Sequence, residues 1–150
     1  MTDLKNELRK LCVDYVQKRI DAAVQAIEAS QQAANEETKS SAGDKYETGR
    51  AMMQQDSDRN QAQLNEANKL MFSLKYITSN ASSEIVSAGS VVITNNAKFY
   101  IAISAGNLIF NGETYLAVSP ASPIGLKLNG QKAGNEFDLN GKFYRIESIL

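Results

Sequence analysis

The chain has no histidine and a single cysteine in 150 residues, and these shortages narrow the chemistry open to it. Without histidine there is no Ser-His-Asp or Cys-His mechanism, none of the usual zinc sites and not the commonest general base. An acyl-transfer or condensing enzyme built on Cys12 would lack its base. One thiol cannot close an internal disulfide and agrees with a reducing cytoplasm. No stretch approaches the roughly 18 consecutive apolar residues of a membrane span, and the first twenty residues are charged throughout, so neither a membrane segment nor a signal peptide is expected. Excess charge is missing too: the formal net charge is −1. Residues 1–80 hold 11 Lys and Arg against 12 Asp and Glu, and residues 81–150 hold 5 against 5. Binding to nucleic acid depends largely on neutralising phosphate, so this balance argues against autonomous, sequence-specific nucleic-acid binding.

What is present divides near position 80, and the expected organisation is an α+β chain with a helical domain at 1–80 and a small β domain at 81–150. From Asp3 to about Glu37 there is neither proline nor glycine. Leu4, Leu8, Leu11 and Tyr15 step by four, three and four, and after a one-residue shift Val16, Ile20, Ala23/Val24 and Ile27 continue the rhythm of an amphipathic helix with a narrow seam. Cys12 reads as a small apolar member of that seam. Glu47 to about Thr78 repeats the design in reverse through Leu64, Ala67, Leu70/Met71, Leu74 and Ile77. Both apolar seams lie far from the intervening stretch, as an antiparallel coiled-coil hairpin requires. At 1.5 Å per residue each arm would reach on the order of 45 Å.

The tip of that hairpin is expected at 40–47, Ser40-Ser41-Ala42-Gly43-Asp44-Lys45-Tyr46-Glu47, with Gly43 supplying the reversal. Asp44 and Glu47, three residues apart at a helix start, share a face. Two carboxylates on a protruding tip suit a divalent-metal clamp; the plainer reading is a solvated capping-box pair. Ser79-Asn80-Ala81-Ser82-Ser83 reads as a linker. Beyond it, strands are expected at Ser90–Thr94, Lys98–Ile103, Glu113–Val118, Glu136–Leu139 and Phe143–Ile149, with Asn107–Phe110 a weaker candidate. Asn95-Asn96, Asn111-Gly112 and Asn140-Gly141 are placed as two-residue hairpin turns. The stretch from Pro120 to Gly130 is too rich in Pro and Gly for a strand and reads as a loop with one helical turn.

Two of these stretches carry a family likeness. Ser122-Pro123-Ile124-Gly125, followed by Gly130 and Gly134, resembles the Ser-Pro-Leu-Gly motif of the bacterial transcript cleavage factors of the Gre type, and Gly43-Asp44-Lys45-Tyr46-Glu47 resembles that family's Gly-Asp-x-x-Glu tip. The resemblance implies an N-terminal antiparallel coiled coil joined to an FKBP-like C-terminal domain. It also implies an accessory factor, not itself an enzyme, whose partner is RNA polymerase and, through it, the 3′ end of backtracked RNA. Ser122, Pro123, Ile124 and Gly125 would belong to the docking surface, while Asp44 and Glu47 would enter the secondary channel and complete a Mg2+ site shared with the polymerase, none being bound by the isolated protein. The family usually follows its second acid with Asn-Ala-Glu-Tyr. Here Thr48-Gly49-Arg50-Ala51 stands instead, which favours the alternative of a channel-binding factor that modulates or inhibits without stimulating cleavage. A prolyl isomerase and a structural coiled-coil adaptor are the readings from other classes. The isolated protein is expected to be a cytoplasmic monomer.

Overall fold

The computed structural model describes residues 2–39, 43–77 and 84–150, and side chains within 3–33, 49, 51–77 and 84–150. Two long helices, α1 (Thr2–Lys39) and α2 (Gly43–Lys75), precede β1 (Val91–Thr94), β2 (Lys98–Ile101), β3 (Gly106–Phe110), β4 (Glu113–Val118), α3 (Pro123–Leu128), β5 (Glu136–Leu139) and β6 (Lys142–Ile149). The expected tip residues Ser40 to Ala42 and the linker Ser79 to Ser83 lie outside the described residues. The chain is therefore α+β, as its two textures imply. It forms two compact units: Val16–Met71 is one, while Met1–Tyr15 together with Phe72–Leu150 is the other.

In α2 the half-buried and buried positions are Gly49, Met53, Ser57, Asn60, Leu64, Ala67, Leu70, Met71 and Leu74. From Met53 onward all but Leu70, which adjoins Met71, are spaced in alternating steps of four and three, a coiled-coil-like repeat that runs on through polar residues in the half of the helix nearer Gly43. In α1 the burial line differs from the expected one. Leu8, Cys12 and Val16 are fully buried, whereas Leu11 and Tyr15 are only half-buried. Steps of four from Leu8 through Cys12 and Val16 to half-buried Ile20 form a stutter, which locally unwinds the seam before Ala23 and Ile27 restore the three-four rhythm. The one-residue shift in the sequence marks this stutter.

The six strands form one mixed sheet in the order β3-β4-β2-β1-β6-β5. Four neighbouring pairs are antiparallel and β2 with β4 is parallel. The central strands β1 and β2 are buried on both faces: Val91, Val92, Phe99, Tyr100 and Ile101 are all sealed from solvent. On one face Val92, Phe99, Ile101, Val118, Tyr144 and Ile146 pack with Leu128 of α3. Alternation turns Tyr100 to the other face, where its hydroxyl, pushed above its ordinary pKa chiefly by burial, lies within the electrostatic reach of Cys12 and Arg9 of α1. In the same unit Arg9 Nε donates to the carbonyl of Leu74 at 3.1 Å, tying the first turns of α1 to the last turn of α2.

Expected and observed strands agree to within a residue or two. β2 ends at Ile101, two residues short of the expected Ile103: Ala102 N makes the last ladder bond to β4, donating to Val118 O at 2.8 Å, and Ala105 N then donates back to Ile103 O as the chain bends into β3. Asn111-Gly112 and Asn140-Gly141 have φ of 52° with 77° and 52° with 80°, the paired positive values of a type I′ turn. Asn95-Asn96 is not of that kind, since neither has positive φ. Its loop is held from outside: Asn95 Oδ1 accepts from Arg145 N at 2.6 Å and Asn96 Nδ2 donates to Phe143 O. Thr94 completes the hold, its hydroxyl donating to Ala97 O at 2.6 Å and accepting from Ala97 N at 3.0 Å.

Burial pushes the Cys12 thiol up to about 12. In the unfolded chain it would ionise near its ordinary value, so the folded state holds the extra proton and stability falls as pH rises from about 9 toward 12. Native protein at pH 8 is expected to resist thiol alkylation until denaturant is added. Rapid labelling of the native chain would contradict this burial.

Candidate functional site

Asp44 and Glu47 fall in the first turn of α2, which begins at Gly43, four residues after α1 ends at Lys39. Gly43 is thus helical, and any chain reversal falls on residues outside the described set. Three residues of separation on one helix put positions 44 and 47 on one face; their side chains lie outside the described residues. Further along α2, two other acids are engaged locally. Asp56 pairs with Arg59 at 3.2 Å and Asp58 accepts from Gln54 at 3.0 Å. These are solvated contacts of the three- and four-residue kind. Met52 is 62% exposed and its neighbour Met53 half-buried. Among the described residues no group of three or more metal-ligating side chains occurs.

Ser122-Pro123-Ile124-Gly125 is the start of α3. Ser122 is its N-cap, with extended backbone, and its hydroxyl accepts from Gly125 N at 3.1 Å while donating to Ser119 O at 2.7 Å. Pro123 follows in the first helical turn, where its missing N–H costs nothing. Ile124 leans on the sheet core. Gly125 does not have positive φ, so backbone conformation does not demand glycine there. The reason for glycine is space: a Cβ there would stand 2.0 Å from Ser119 O and 2.9 Å from Ser122 Oγ. The motif therefore spends three of its residues on folding itself, and outward it offers Pro123 and, one turn on, Leu126 at 66% exposure.

Sequence reading missed a polar groove of about 360 Å³ lined by Thr94, Asn95, Asn96, Ala97, Lys98, Glu113 and Thr114. Lys98 Nζ meets Glu113 Oε2 at 2.6 Å, and Tyr115 OH donates to the same oxygen at 3.1 Å. The hydrogen bond from Lys98 holds the Glu113 carboxyl below its usual range, with the Tyr115 bond adding to it, and the same contact raises Lys98. The pair exists because β2 and β4 run side by side in parallel, a neighbourhood that no local pattern reveals. The groove is polar where a prolyl-isomerase site needs aromatic walls. Phe99, Tyr100, Tyr115 and Tyr144 are buried, and Phe137 stacks on Tyr144 at 5.2 Å.

No family model, curated protein or solved structure matches this chain. Among the described residues no helix is long and apolar enough to cross a membrane.

Two substitutions separate the roles inside the motif. Ser122→Ala, which removes a cap, should cost about 1 kcal/mol. Gly125→Ala, which drives a methyl into a backbone carbonyl, should cost more, roughly 1–3 kcal/mol or beyond. Urea denaturation would measure both, and a Gly125→Ala protein as stable as the parent would refute the packing account.

Proposed function

We propose that this protein is an accessory factor of RNA polymerase that acts through the acids at positions 44 and 47 and stimulates cleavage of backtracked RNA. The observation that carries the reading is the place of Asp44 and Glu47: one face of the opening turn of a 33-residue helix, reached by a three-residue connection from a 38-residue one. In this reading the two helices run antiparallel as a coiled-coil hairpin. The short connection supports that arrangement, as does the bond from Arg9 near the start of α1 to Leu74 near the end of α2. The mixed sheet with α3 against one face is read as the FKBP-like module, and it docks on the polymerase through the outward residues of the α3 turn.

Magnesium prefers oxygen ligands and commonly takes only one or two protein carboxylates, so two acids on one helical face fit a metal whose remaining positions are filled by polymerase, water and phosphate. Bound there, the ion would supply Lewis-acid activation of water for attack on the RNA backbone. Asp44 and Glu47 would hold and orient it. Neither is a nucleophile, so the factor alone would cut nothing. A second reading, a channel-binding factor that slows or modulates synthesis without cleavage, is favoured by one observation. Gly49 stands within α2, where glycine costs about 1 kcal/mol relative to alanine and loosens the helix just behind the acids.

Purified protein added to stalled, backtracked complexes distinguishes the two. Release of short 3′ RNA is the expected outcome, and slowed synthesis without release would favour the second. Asp44→Ala with Glu47→Ala is expected to abolish cleavage while leaving polymerase binding within a few-fold. Full cleavage by that double variant would remove the metal-holding role. Leu126→Asp, at an exposed position, is expected to weaken polymerase binding with the melting temperature unchanged; unaltered binding would move the docking surface off α3.

A further inference from the structure

The two edges of the sheet are built differently. On β5, Glu136 and Asp138 are exposed, and Glu136 is joined by Arg145 at 3.1 Å. Charge along an edge is a common guard against pairing with another strand. On β3, Gly106-Asn107-Leu108-Ile109-Phe110 carries no charge and no proline, and it pairs with β4 residue for residue without a bulge. Its other side is the end of the sheet, and no described group bonds to it. Ile109 is 67% exposed on this edge. The uncharged stretch extends past the strand on both sides, from Phe99 to Gly112.

We propose that β3 pairs antiparallel with β3 of a second copy of this chain about a two-fold axis at Leu108, joining two six-stranded sheets into one. The row of backbone donors and acceptors along β3 calls for an extended, uncharged segment, and β3 itself is one. Pairing it with β5 of another copy would set it against Glu136 and Asp138 and would be head-to-tail, with nothing to close it. A β3 to β3 contact is self-complementary and closes at two copies. In that register Ile109 lies opposite Asn107 of the second copy, and no like charges meet along the ladder. The ladder is five residues long, so the association is reversible and depends on concentration. The inference does not rest on the proposed function.

Sedimentation velocity of the full chain, from micromolar to millimolar, tests it. The expected result is a mass that moves from 16.4 kDa toward twice that value. Ile109→Lys places an ammonium on each side of the axis and should raise the midpoint concentration by about tenfold or more. Ile109→Thr, neutral and β-branched, should dimerise within a few-fold of the parent. Circular dichroism should be the same for all three. Amides of Gly106–Phe110 should exchange more slowly with solvent as concentration rises. A parent that stays monomeric throughout would overturn the proposal and leave the monomer expected from the sequence. It would also be overturned by an Ile109→Lys protein that dimerises like the parent, by an Ile109→Thr protein that fails as completely as the lysine variant, or by β3 amides that exchange alike in monomer and dimer.

Discussion

The sheet unit depends on strands β1 and β2 being apolar on both sides. Phe99 and Tyr100 are neighbours in sequence and look in opposite directions, yet both are sealed from solvent. A strand of that kind is stable only when each face has a cover. One cover is α3, through Leu128 and Ile124. On the other face Tyr100 has Cys12 and Arg9 of the first turns of α1 in its surroundings. The helical ends are therefore part of the fold of this unit. Removing them would strip Tyr100 of those neighbours, and removing α3 would take Leu128 from Phe99 and Val92.

Local patterns made most elements legible. The absence of Pro and Gly from Asp3 to Glu37 announced α1, and the Asn-Gly pairs announced two hairpins whose positive φ values follow. What was not legible depends on neighbours distant in sequence. Asn95-Asn96 is a third two-residue hairpin turn, between β1 and β2, but it lacks the positive φ of the other two and is bonded to Phe143 and Arg145, close to fifty residues away. The parallel pairing of β2 with β4, and with it the Lys98–Glu113 contact, has no sequence signature at all. In α1 the seam could be read only to within one residue, because a stutter gives two adjacent positions nearly equal claim to the interior.

The candidate site was legible to different depths at its two ends. The spacing of Asp44 and Glu47 places both at the opening of α2, and that much follows from sequence alone. The Ser-Pro-Ile-Gly stretch was recognisable as a motif before its reason was visible. The close approach of Ser119 O to Gly125 and the two bonds of Ser122 give the motif a structural meaning that is independent of any partner. A likeness in those residues therefore speaks first for a shared way of starting α3.

The position of β6 bears on how the unit is made during translation. β6 is the last strand in sequence but lies inside the sheet, between β1 and β5, and Val91 exchanges both backbone bonds with Leu150. Until β6 leaves the ribosome, β1 has a neighbour on one side only and β5 has none. A chain made only as far as β5 thus carries an incomplete sheet with the apolar strand β1 at its edge. A co-translational chaperone would meet that surface, and it disappears only when the final strand slides into the gap.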